Sequence, residues 1–181
     1  ETIRERVPAD KAIGILPWLL MCDLPAAAPR RSDAPQMDSL DHERFASLLD
    51  ALISNQIGHS ESLVAPRAPI QDLRGGFMLG QSGRTTATAS SLRPLLALAS
   101  FRHIELSLGE QPDTSLEESY QLGLRFLRQL QIDETLAQRG PRPQRGLGNI
   151  KRAPWSNEAT LADTAIALLI CTERPPTRSK N

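Results

Sequence analysis

The chain has 181 residues, enough for one domain with its own core, and its 40% hydrophobic and 23% charged composition is ordinary for a globular protein. The 21 basic and 21 acidic side chains cancel, which removes the basic footprint of a nucleic-acid binder. Two cysteines are too few for a disulfide scaffold or a zinc cluster, and no apolar stretch reaches the roughly 20 residues of a membrane helix.

The chain begins at Glu1 rather than methionine, as expected of a processed protein or a piece of a longer one. Asp10 is placed to cap a short apolar helix that Pro17 ends or kinks, near Trp18. The following stretch, Leu24 to Gln36, is rich in alanine and proline and is expected to be a linker or irregular arm. Asp41 is the expected cap of the next helix, whose stripe is Phe45, Leu48, Leu49, Leu52, Ile53 and Ile57, with Gly58 as its stop. Residues 58–84 carry little periodicity and many turn residues.

A helix is expected from Thr85 to Arg102, starting with small Thr, Ala and Ser side chains and kinked at Pro94. Thr114 with Glu117 spells a capping box for a helix whose stripe is Leu116, Tyr120, Leu124, Leu127 and Leu130. Residues 139–149 read as an Arg/Pro/Gly-rich loop. The last helix is expected from Thr160 to Thr172, stopped by Pro175 and Pro176. No stretch alternates apolar and polar residues as a strand does, so the fold class is all-α.

Two blocks of this chain are alike. Arg74-Gly75-Gly76-Phe77 leads to the small-residue helix from Thr86, and Gly148-Asn149-Ile150 leads to the helix from Thr160. A long amphipathic helix precedes each. This order of amphipathic helix, loop, Gly-Gly-aromatic turn and small-residue helix resembles the repeats of the terpenoid cyclase and protein prenyltransferase superfamily, the squalene-cyclase-like toroids. The resemblance covers residues 41–172, and the second unit departs from it by replacing the double glycine and aromatic. It implies helical hairpins forming a partial α/α toroid. The implied organisation is an N-terminal helix and linker at 1–37, a repeat domain at 38–174 with units 41–102 and 114–172, and a tail at 175–181.

The family's catalytic signatures are absent. The zinc set of Asp, Cys and His has no counterpart in Cys22, Cys171, His42, His59 and His103, which lack ligand spacing, and no metal or other cofactor is implied. The acidic cluster of the cyclases is missing, and at 4% aromatic the chain lacks the π faces that stabilise a carbocation. Gly109-Glu110-Gln111 is similar to the thioester segment of macroglobulin and complement proteins, but Leu108 stands where a cysteine is needed. Cys22 and Cys171 lie in apolar runs and are expected to be buried free thiols, with a disulfide between them as the alternative, since sequence gives no distance.

Four residues, Asp163, Glu158, Trp155 and Arg84, are candidate pocket or ligand contacts. Asp163 falls in the first turn of the last helix, where a carboxylate either meets a ligand or stabilises its own helix. Trp155 either lines a pocket or packs its loop onto the helix. Glu158 lies nearby, and Arg84 and Arg152 flank equivalent turns. The expected function is a non-catalytic helical module that packs against the remainder of a larger chain or a protein partner. The alternative is a cavity-wall segment of a terpenoid cyclase-like, prenyltransferase-like or carbohydrate-active α/α-toroid enzyme.

Overall fold

The structure, a computed structural model, describes residues 39–58, 73–79, 87–108, 111–140 and 142–172. The expected N-terminal helix and linker, Cys22, Arg84 and the tail lie outside the described residues. Among those residues the order is helix α1 (Ser39–Ser54), a 3-10 turn (Ala89–Ser91), α2 (Leu92–Leu108), α3 (Thr114–Leu130), two short helices α4 (Glu134–Gln138) and α5 (Pro143–Gly146), and α6 (Leu161–Thr172). No strand is formed among them, only isolated antiparallel bridges, so the all-α class holds.

Helix α2 is buried nearly all round: Leu92, Leu95, Leu96, Ala97, Leu98 and Ala99 all lie in the core. A helix apolar on every side belongs between others. Accordingly, α2 packs against both α3 and α6, while α1 packs against α3. The amphipathic α3 turns Leu116, Tyr120, Phe126, Leu127 and Leu130 inward. Gly123 brings its backbone onto Leu95, whose Cδ1 occupies the space a Cβ would need. At the edge of this interface Arg102 donates to Glu117 at 2.5 Å and lays its guanidinium 5.1 Å from the Tyr120 ring centre.

Several boundaries differ from expectation. The first helix begins at Ser39 rather than Asp41 and ends at Ser54, before Gly58. The second begins with the 3-10 turn, capped by Thr88, whose hydroxyl accepts from the Ser90 amide. Pro94 therefore lies in the first turn of α2, where its missing N–H has no intrahelical partner to lose, and the expected kink has no cause. Asp113 rather than Thr114 caps α3 by accepting from the Ser115 amide, which leaves Glu117 for Arg102. The Arg/Pro/Gly stretch holds α5, with Pro143 at its start.

Each long helix α1 and α3 ends in a junction, and the two junctions are bonded alike. Gln56 bridges to Phe77, and Gln131 bridges to Ile150. The Ile57 amide donates to the Gly76 carbonyl and Ile132 to Asn149, while Gly75 donates back to Ile57 and Gly148 back to Ile132. Met78 donates to Asn55 and Lys151 to Leu130; Gly76 donates to Leu73 and Asn149 to Gly146. A hydroxyl of the following helix then anchors each turn: Ser91 accepts from the Phe77 amide at 2.9 Å, and Thr164 from the Ile150 amide at 3.2 Å. Gly75 and Gly148 both take positive φ, 94° and 82°, which explains the glycine in each turn. Asn149 and Ile150 thus carry the same backbone pattern as Gly76 and Phe77.

Candidate functional site

The described candidates lie on the loop that joins the second junction to α6 and in the first turn of that helix. Its start is tied down twice. Lys151 bridges to Ala159, and the Arg152 amide donates to the Glu158 carbonyl at 2.7 Å. The Arg152 carbonyl in turn accepts from the Ala89 amide, so this loop is fastened to the start of the buried helix α2. Ser156 closes the tip, donating its amide to Ala153 and accepting from the Glu158 amide through its hydroxyl. Lys151 is buried, with Nζ 3.4 Å from the Pro154 carbonyl.

Asp163 is half-buried and committed to its own helix terminus. Thr160 accepts from the Asp163 amide at 3.1 Å and donates its hydroxyl to Asp163 Oδ2 at 2.7 Å. This reciprocal arrangement is a cap, in which the carboxylate also complements the N-terminal dipole. Glu158 is exposed, 3.8 Å from the Arg152 guanidinium, a pairing of small energetic weight in water. Trp155 is 62% exposed, so it does not pack its loop onto the helix. Cys171 is free and exposed, contrary to the expected buried thiol, because its apolar run is covered on one side only.

A buried polar side chain outside the expected candidates ties two elements together. Gln56 is fully buried, and its side-chain amide donates to the carbonyls of Gly75 and Ser119 while its oxygen accepts from the Ser119 hydroxyl. It welds the first junction to α3. Glutamine after an apolar stripe carries no sequence signal of its own; only its recurrence as Gln131, before an isoleucine in both cases, marks it.

Among the described residues no three His, Cys, Asp or Glu side chains come together as a metal cluster, and no helix is long and apolar enough to cross a membrane. In comparisons with protein-family models, curated proteins and solved structures, nothing matches the chain.

Proposed function

We propose that this chain is a non-catalytic α-helical repeat module, a partial α/α toroid of two stacked units, that packs against another domain or subunit. The observation carrying this reading is the pair of junctions, which hold the same backbone bonds on different side chains. Stacked units bury their apolar faces against neighbours, so a unit at the end of a stack leaves a face uncovered. Helix α6 has that property: Leu161, Leu168 and Leu169 are exposed on it. An enzyme-wall reading would draw on Asp163, Glu158 and Trp155, yet Asp163 is engaged by Thr160 and Glu158 and Trp155 face solvent.

Two measurements test the module. Asp163→Ala should cost only about 0.3–1 kcal/mol of stability, as the loss of a first-turn acid does, with association unchanged. A photo-crosslinking amino acid at position 168 of the full chain, in its native cell, should form adducts with protein. Adducts confined to a small molecule, abolished by Asp163→Ala, would replace the module with the enzyme segment.

A further inference from the structure

The two junctions share their bonds but not their cover. At the first, α3 lies across the turn: a Cβ on Gly75 would strike the Leu122 carbonyl, and one on Gly76 would meet Ala87 and the Phe126 ring. At the second, a Cβ on Gly148 would meet nothing within 4 Å. Gln56 is sealed under α3 by its bonds to Ser119, whereas Gln131 is exposed.

The helices that follow differ in the same way. Matching Ser91 to Thr164, the hydroxyls that anchor the two turns, places Leu95 opposite Leu168, Leu96 opposite Leu169 and Leu98 opposite Cys171. The register is sound on the inward side, where Ala97 and Ile170 are both buried. On the other side Leu95 is 1% exposed beneath Gly123, while Leu168 is 62% exposed and Leu169 48%. On α6 the exposed Leu168, Leu169 and Cys171 are thus the counterparts of Leu95, Leu96 and Leu98, all buried in the first unit.

We infer that Gln131, the Gly148 turn and the outward face of α6 form a docking site for one further amphipathic helix with the chemistry of α3. This rests on the repeat reading above and names the partner's contact. The occupant carries a glycine opposite Leu168, as α3 presents Gly123 to Leu95, so that backbone and leucine meet closely. It carries a small hydroxyl for Gln131, as α3 offers Ser119 to Gln56. Around these it presents the leucine-rich stripe that α3 builds from Leu116, Leu127 and Leu130. A second copy of this chain does not supply such a helix from α3, whose apolar face is already seated on its own α2. The site is continuous with that established interface, because α6 stands directly beside α2.

The test appends a second copy of residues 109–131 after Asn181, which stands to Leu108 in the register that sets Leu168 against Leu95. In a Cys22→Ser background, alkylation of the native thiol Cys171 reports cover, since its counterpart Leu98 is buried. The extension should slow alkylation at least about tenfold, because labelling then requires the helix to open. Gly123→Leu made in the appended copy alone should restore the rate. Hydrogen exchange across residues 161–172 in the extended chain without Cys22→Ser should slow in parallel. Unchanged alkylation, or equal slowing by the glycine and leucine copies, overturns the docking site. So does concentration-dependent protection of the unextended chain, which would make a second copy the occupant. Protein adducts from position 168 alongside unchanged alkylation would leave the module standing and remove only this helix.

Discussion

The first and second junctions are a natural controlled comparison: one backbone design, with a helix laid over it in one case and, among the described residues, none in the other. The four backbone hydrogen bonds described for one recur at the matching positions of the other, although Gly76 and Phe77 are replaced by Asn149 and Ile150. What differs is the environment of the side chains. Local structure here follows from a positive-φ glycine, an anchoring hydroxyl and the end of an amphipathic helix. The energetic weight of each residue follows from whether α3 covers it.

Paired substitutions measured by reversible chemical unfolding can break that comparison. The largest gap is expected between the two leucines. Leu95→Ala removes a buried side chain pressed against Gly123 and should cost about 2–5 kcal/mol. Leu168→Ala, at an exposed position, should stay within about 0.5 kcal/mol. Similar costs would show that α6 is covered in solution and that the asymmetry is mistaken.

Next come the glycines. Both have positive φ, so alanine at either should cost about 1–2 kcal/mol for the left-handed backbone. Gly75→Ala adds a collision with the Leu122 carbonyl and should exceed Gly148→Ala by at least about 1 kcal/mol. Equal losses would mean that α3 gives way easily and does not clamp the turn.

The glutamines should differ by less. Gln56→Ala strands the buried Ser119 hydroxyl and two carbonyls, a loss of about 1–3 kcal/mol. Gln131→Ala should fall within about 0.5 kcal/mol in the chain alone. A cost at Gln131 that rises to match Gln56 once a helix is appended would sharpen the comparison further.

The smallest effect concerns pH. Burial pushes the Glu117 carboxyl up, but hydrogen bonds from Arg102 and Gln121 and the Arg102 charge outweigh it and hold the group below its ordinary value of 4.5. A carboxyl depressed in the folded state contributes stability above its unfolded value, and that contribution fades as pH falls through the folded one. Unfolding at pH 7 and at a pH beneath the depressed folded value should therefore show Glu117→Gln destabilising at neutral pH and nearly silent in acid. The neutral effect should be under about 1 kcal/mol for a pair this near solvent.

Much of this arrangement was legible in the residues. The stripe from Leu48 to Ile57 and that from Leu116 to Leu130 mark α1 and α3, and the likeness of the two Gly-turn blocks marks the junctions. The misread positions share one cause. Pro94 as a kink, Thr114 as the α3 cap and Cys171 as a buried thiol were each read from a residue's immediate neighbours. Their roles were set by where the helix began, which side chain reached the free amides and which side of α6 had a neighbour. Trp155 belongs with them, since indole size alone does not say whether anything lies opposite.

By itself the sequence determined that the chain is helical and where its long helices and glycine turns fall, because periodicity, caps and positive-φ turns are local properties of the backbone. Only the tertiary structure decided which apolar residues count. Leu95 and Leu168 sit in similar stretches, and a helix resting on the first, with no described helix on the second, makes one a core residue and the other a surface one. Burial depends on a neighbour from elsewhere in the chain, and no short stretch of residues contains that neighbour.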